Sequence, residues 1–490
     1  MILSVTGHNF RYETENVIRI FFPLEKITVT EEMIETQENH VFTYLENNII
    51  GCEVFLSGKK EKREQSVIDK TDKEAELILA QLLYDIFTSM TGLTPPWGIL
   101  TGVRPSKLLR NLIAENGEAE ALDYFRNQLY VTDKKTDLAL SVAKAEDRII
   151  ALSGEKSYSL YVSIPFCPTR CSYCSFVSHS VAQAKKLIPD YVKLLCREIG
   201  DISKIAKELD LKLETIYFGG GTPTSLGEED LKAVTDAVSA NFNVKNIREY
   251  TIEAGRPDTL NKEKLAIMKN AGVSRISINP QTFNAQVLEN IGRKHSPEMT
   301  VEAFGMARNA GFDNINMDFI AGLPGDTYES FRASIDRAVD LSPENITIHT
   351  LALKRAANIV TQGETDSVYN ETAKMLDYSN QALYDSGYFP YYMYRQSKTV
   401  GNNENVGWSK DGRECLYNIY MMEEIHTVLA AGGGAVTKLK SPFDSRIDRV
   451  FNFKYPYEYI SRFDEQSERK KNIFDFYGMI KSGNKKRIYL

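Results

Sequence analysis

The stretch from Tyr158 to about residue 360 constrains the chain most. Six short apolar runs recur there: LYVSIPF, TIYFGGG, YTIEAG, RISINP, INMDFIAGLP and ITIHTLAL. Helical patterns such as IPDYVKLLCREIGDISKIAKEL, EEDLKAVTDAVSANF and SFRASIDRAVDL separate them. Brief runs rich in β-branched and aromatic residues predict strands, and the longer amphipathic stretches predict helices. Strand, helix, strand in repetition predicts parallel pairing with right-handed crossovers. A closed eight-unit barrel takes ~250 residues, so six units in about 200 residues predict a barrel left open on one side. The expected fold is therefore α/β, a partial (β/α)6, TIM-like barrel over residues 151–360.

Two further regions flank it. Residues 1–150 are expected to form an α+β domain, with VIRIFFP and HVFTYLENNIIGCEVFL as strands and helices after about residue 75. Residues 361–490 are expected to form a C-terminal α+β domain covering the barrel's open mouth, with the aromatic YFPYYMYRQ as a candidate lid. The 490 residues are 42% hydrophobic and 26% charged, ordinary for a folded chain of two or three domains. A formal net charge of −7 argues against bulk nucleic-acid binding. The opening MILSVTGHNFRYETENVIRI lacks a secretory apolar core, and no apolar run reaches the ~18 residues of a membrane span. A cytoplasmic, monomeric protein with no nucleic-acid or membrane partner is expected.

Six cysteines are too few for a disulfide framework, yet three of them crowd into LYVSIPFCPTRCSYCSF as Cys167, Cys171 and Cys174. The spacing Cys-x3-Cys-x2-Cys follows the first barrel strand, and a barrel displays such a loop at its active end. Three thiolates can hold three irons of a cubane and leave the fourth open to a small molecule. Spacing alone leaves two other readings: a Cys3His zinc site with His179, or three structural cysteines.

The surrounding residues are more specific. Cys-x3-Cys-x2-Cys with Tyr173 before the last cysteine resembles the signature of the radical S-adenosylmethionine (SAM) superfamily. YFGGGTPT resembles its glycine-rich SAM motif. In order, YFGGGTPTSL, YTIEAGRPDTL, RISINPQTFN, IGRKHS and NMDFIAGLPGDT resemble the oxygen-independent coproporphyrinogen III oxidases, or coproporphyrinogen dehydrogenases. PWGILTGVRPSKLL, TIEAGRPDT and ENVGW are similar to a HemZ-like branch of that family.

The resemblance implies a [4Fe–4S] cluster on Cys167, Cys171 and Cys174. It implies a SAM pocket lined by Tyr161, Tyr173, Gly219, Gly220, Gly221, Thr222, Glu253, Gln281, Arg293 and Asp318. Gly433, Gly434 and Ala435 resemble a later glycine loop. The implied reaction removes a β-hydrogen from each of two propionates of coproporphyrinogen III; loss of CO2 and one electron leaves a vinyl, giving protoporphyrinogen IX. A tetrapyrrole substrate and a reduced flavodoxin or ferredoxin-type donor follow, and Arg170, Arg256, Lys354, Arg355 and Arg395 are the basic candidates for the substrate's carboxylates. Better-known members carry a further cysteine where this chain has Phe176, and a histidine where it has Ser163. Haem chaperones and radical haem methyltransferases share the superfamily branch and stand as the alternatives.

Overall fold

The computed structural model describes residues 1–23, 25–31, 38–175, 178–352, 365–396 and 399–481. The chain forms two compact units. One comprises Met1–Ala143, Thr350–Ala373 and Met393–Asn405; the other comprises Lys144–His349, Lys374–Tyr392 and Val406–Leu490.

The first unit holds a five-stranded sheet in the order β2-β1-β3-β4-β5, made of β1 (Ile2–Thr6), β2 (Thr28–Thr30), β3 (His40–Glu46), β4 (Ile49–Leu56) and β5 (Lys59–Ser66). The hairpin from β3 to β4 turns on Asn47 and Asn48, both at positive φ, which suits the strands' twist. The edge strand β5 reads KKEKREQS, and its charges discourage pairing with another chain. Helix Asp72–Thr91 starts on a capping box, Thr71 with Glu74, and sets Tyr84 and Phe87 against Phe21. In the same unit the buried Glu404 carboxylate accepts from Trp97 Nε1 at 2.7 Å and Lys135 Nζ at 2.6 Å. The Arg395 guanidinium faces the Trp97 ring at 5.4 Å and donates to the carbonyls of Leu100 and Asn402.

The larger sheet has eleven strands among the described residues. Its centre is β6 (Ser157–Ile164), β9 (Lys212–Gly220), β10 (Glu249–Glu253), β11 (Arg275–Ser277), β12 (Ile315–Ala321) and β13 (Asn345–Thr350), neighbours in that order. From β6 to β12 the pairings are parallel. These are the six strands expected from the alternation, and the partial barrel is the observed fold. Asn261, Asn284, Ser296 and Thr327 each cap the helix that follows, accepting from an amide of its first turn.

Five strands between Phe389 and Phe451, within the stretch expected to form the C-terminal domain, extend this same sheet. Strand β16 (Thr427–Ala431) pairs in parallel with β6, and β17 (Val436–Lys440) and β18 (Ile447–Phe451) follow it outward. At the other edge β15 (Glu404–Ser409) runs antiparallel to β13, with β14 (Phe389–Arg395) outside it. YFPYYMYRQ is thus a sheet strand. An open barrel has two unpaired edges, and these strands cover both.

The two faces of the central strands differ sharply. Leu160, Val162, Ile164, Ile216, Phe218, Ile252, Ile276 and Ile346 have no exposed surface and form the apolar face. The other face is polar along every strand, with Ser159, Tyr161, Thr215, Tyr217, Thr251, Glu253, Ser277, Asn316, Asp318, Thr347 and His349. Ser159 and Thr215 share a hydrogen bond across β6 and β9, and Thr347 donates to Asn316 across β13 and β12. A polar sheet face inside a barrel is a place for chemistry rather than packing alone.

Candidate functional site

The cysteine loop leaves the end of β6. Phe166–Cys167 form a short strand, β7, paired with β8 (His179–Ser180). The loop is fastened to two places. Thr169 Oγ1 donates to Gly292 O at 3.1 Å, and Ser172 N to Ile291 O at 3.1 Å. Gly221 N and Thr222 N donate to Ile164 O and Phe166 O, both at 2.8 Å. Cys171 is buried, while Cys167 and Cys174 are half-buried. Thr222 Oγ1 points at Cys167 Sγ, 3.5 Å away.

The glycine run explains itself at that contact. A Cβ on Gly221 would lie 2.5 Å from Phe166 O, and one on Gly220, which has φ +103°, 3.0 Å from Ser163 Oγ. The amides of Gly221 and Thr222 are used by the loop itself. Gly219 faces a different neighbourhood: a Cβ there would meet the Tyr161 ring and Glu253 Oε1, each at 3.3 Å.

Tyr161, Tyr217 and Tyr417 form a stack in that neighbourhood, with Tyr217 and Tyr417 centroids 4.3 Å apart. Tyr217 OH donates to Glu253 Oε1 at 2.5 Å. Burial first, and the Asp318 charge second, push the Glu253 pKa up to about 7 against the pull of that hydrogen bond. Asn316 Nδ2 donates to Asp318 Oδ1 at 2.7 Å, and His349 Nε2 lies 3.9 Å from Asp318 Oδ2. Gln281 takes a left-handed φ of +70° so that its amide donates to Asp318 O while its carbonyl accepts from Ile320.

On the other side of the loop, the Tyr173 hydroxyl accepts from Arg293 Nε at 3.2 Å and Nη2 at 3.0 Å. Arg293 Nη1 donates to Asn279 O at 2.6 Å. The Asn279 side-chain oxygen is buried with no hydrogen-bond partner. His295 is buried nearby; burial, then the Arg293 and Arg256 charges, lower its pKa to about 4, so it is neutral.

The later glycine loop is a strut beneath β6. Ser163 Oγ donates to Gly433 O at 2.8 Å, and Gly432 N donates to Glu198 Oε2 at 2.7 Å. Glu198, itself buried, also accepts from Tyr459, Asn452, Gln466 and Lys470. The Ser163 hydroxyl is therefore engaged in holding this loop.

The predicted residues thus fall into two neighbouring groups: Tyr161, Gly219, Glu253, Gln281 and Asp318, and the cysteine loop with Gly220, Gly221, Thr222, Tyr173 and Arg293. Motif reading missed Tyr217, whose alternation with Gly219 marks it as inward, and Asn279, two residues before Gln281. It missed Tyr417 too, which no local signal announces. Among the basic candidates, Arg170 is exposed, but Arg256 is buried against Asp258 and Arg395 is buried on backbone carbonyls. Neither is free to meet a substrate carboxylate. Lys354, Arg355 and Phe176 lie outside the described residues.

Three features test whether a [4Fe–4S] cluster and SAM fit. The loop offers three thiols, two of them reachable from solvent. Among the described residues no three His, Cys, Asp or Glu side chains converge on one ion, and thiols that take three different irons need no such convergence. Gly219 keeps clear a space that a Cβ would fill, and the orphaned Asn279 oxygen presents a buried acceptor to a donor group. The residues fit the pair. No helix among the described residues is long and apolar enough to cross a membrane.

Comparison with known proteins gives the family. The Radical SAM superfamily model matches residues 161–338, which include the cysteine loop and the glycine run. The oxygen-independent coproporphyrinogen-III oxidase-like protein HemZ of Bacillus subtilis is 37% identical over 439 residues, 87% of this chain and 87% of the relative. The haem chaperone HemW of the same organism is 31% identical over 327 residues, 64% of this chain and 82% of that one. The solved coproporphyrinogen III oxidase HemN of Escherichia coli superposes with a TM-score of 0.51 at 23% identity, over 66% of this chain and 73% of that one, a likeness of fold. Radical SAM proteins bind a [4Fe–4S] cluster and SAM. A cysteine loop at the end of the first barrel strand and a HemZ-like sequence over nearly nine-tenths of the chain lead to one conclusion: the chain belongs to the radical SAM superfamily, in the branch represented by HemZ.

Proposed function

We propose that this protein is an oxygen-independent coproporphyrinogen III dehydrogenase. Cys167, Cys171 and Cys174 hold the cluster. Tyr161, Tyr173, Gly219–Gly221, Thr222, Glu253, Gln281, Arg293 and Asp318 form the SAM pocket around it. When bound, the cluster and SAM together supply a one-electron route to a strong hydrogen-atom abstractor. The residues orient and shelter that chemistry. Asp318, held by Asn316, would serve as an acceptor for a hydroxyl of bound SAM. Arg293 fixes the Tyr173 ring over the pocket from the side of Asn279. The Tyr161–Tyr217–Tyr417 stack walls off water from the polar face of the sheet. Glu253, with a pKa near neutrality, holds or releases a proton under the Tyr217 hydroxyl. A flavodoxin- or ferredoxin-type protein would deliver the electron.

The observation that carries this reading is the cysteine loop standing against a polar sheet face, in a chain similar to HemZ over 87% of its length. The reading of a haem chaperone is favoured by the HemW relatives and by Ser163, whose hydroxyl is committed to Gly433. Reconstituted protein with reductant, SAM and coproporphyrinogen III, all under anaerobic conditions, separates the two. Deoxyadenosine together with mono- and divinyl products by mass spectrometry supports the dehydrogenase. Deoxyadenosine without substrate change removes that substrate and directs the same assay to haem. Tight haem binding with no deoxyadenosine supports the chaperone.

A further inference from the structure

Arg256 lies beside the cysteine loop yet belongs to none of the pocket groups. It is 3% exposed, and its Nη1 is 4.0 Å from the Cys171 sulfur. Its Nε and Nη2 engage both Asp258 oxygens at 2.8 Å, a two-pronged grip that fixes the guanidinium plane. Nη1 is left to Thr169 Oγ1 at 3.0 Å and to the sulfur. Thr169 donates onward to Gly292 O, so its hydroxyl oxygen is turned to accept from the arginine.

The segment AGRPDT makes this geometry locally. Arg256 is extended, φ −124° and ψ 115°, as a residue before proline must be. Pro257–Thr259 then form a single tight turn that brings Asp258 back to the guanidinium, and Thr259 Oγ1 donates to Arg256 O at 2.7 Å. A lysine ammonium at this position would lack the fork that meets the carboxylate and the loop together. A buried cation and N–H donor against a ligating thiolate favours the more negative, reduced state of an iron–sulfur cluster, because potential follows net charge, hydrogen bonds to sulfur and solvent access.

We propose that Arg256 is a positioning residue for the cluster: locked by Asp258 and Thr169 against the Cys171 sulfur, it raises the midpoint potential of the cluster which that sulfur ligates. This rests on the reading of Cys171 as a cluster ligand. Asp258 partly offsets the guanidinium charge, so two variants move the potential in opposite directions. The test is a redox titration followed by electron paramagnetic resonance on the reconstituted full chain without substrate, with iron and sulfide content measured on each sample. Arg256→Met with Asp258→Asn removes the charge pair and the donor to sulfur. The reduced-to-oxidised ratio at fixed potential is expected to fall about tenfold, about 59 mV for one electron. Asp258→Asn alone leaves the cation unopposed, and the midpoint is expected to rise. A fully loaded double variant with the wild-type midpoint overturns the inference and leaves the cluster reading standing, as do shifts of the same sign in both variants. If the double variant does not load, the single one decides: a rise supports the inference, and no rise overturns it. A wild-type chain that takes up no cluster overturns the cluster reading and this inference with it.

Discussion

Glu253 ends β10 beneath the Tyr217 hydroxyl, and burial pushes its pKa up to about 7. In the unfolded chain a glutamate titrates near ~4.3. The folded state therefore binds this proton more tightly, and the stabilisation is full below ~4.3 and lost as pH rises through about 7. Urea unfolding of the cluster-free protein is expected to show about 2 kcal/mol more loss between pH 5.5 and 8.5 in the wild type than in Glu253→Gln. Equal pH slopes in the two proteins would show that the carboxylate is not perturbed. Gly221→Ala places a Cβ against Phe166 O, and the loop must shift to accept it. We expect a loss of ~1–3 kcal/mol and a matching fall in iron uptake on reconstitution; full uptake at wild-type stability would sink the close-approach account. Residues of this kind were legible because motifs specify local backbone: the glycines, the cysteines and Glu253 sit where their short segments place them. Tyr417 was not, since only the fold brings it from beyond β15 onto a ring in β9.

At the scale of elements, the alternation of apolar runs gave the six central strands and their order, because each crossover helix fixes where the next strand must lie. It could not show that β14 to β18 would join the same sheet, since edge pairing depends on which strands lack a neighbour. What holds the added strands at the β16 end is Glu198 on helix Ile188–Glu208, with five donors, among them Lys470 Nζ at 3.0 Å. Lys470 is 2% exposed. Glu198→Ala leaves it buried without its counter-charge, and a cost of ~3–5 kcal/mol is expected in chemical unfolding. A loss under ~0.5 kcal/mol, the range of ordinary surface changes, would contradict this account. The same network explains the Gly432–Gly434 loop, whose motif resemblance gave it no duty: Gly432 has φ +95°, and a Cβ there would lie 2.4 Å from Ser163 O.

At the scale of the whole molecule, two sequence stretches that resemble the HemZ branch, PWGILTG and ENVGW, meet at one buried carboxylate. Trp97 and Lys135 both donate to Glu404. Sequence shows the two stretches but not their contact, because nothing local links positions separated by some three hundred residues. Glu404→Ala strands the Lys135 ammonium, which is 5% exposed, and a destabilisation of ~3–5 kcal/mol is expected in thermal or urea unfolding of the full chain. Stability within ~0.5 kcal/mol of wild type would show that the ammonium finds another partner.

That contact also bears on how the protein is made. The first unit needs Met393–Asn405 as well as Met1–Ala143. A ribosome adding about 5–20 residues per second delivers Glu404 tens of seconds after Lys135. During that interval Lys135, on helix Asp133–Ile150, has not yet met the carboxylate that it pairs with in the folded chain. The first unit is therefore complete only once residue 405 has been synthesised, long after its first 143 residues.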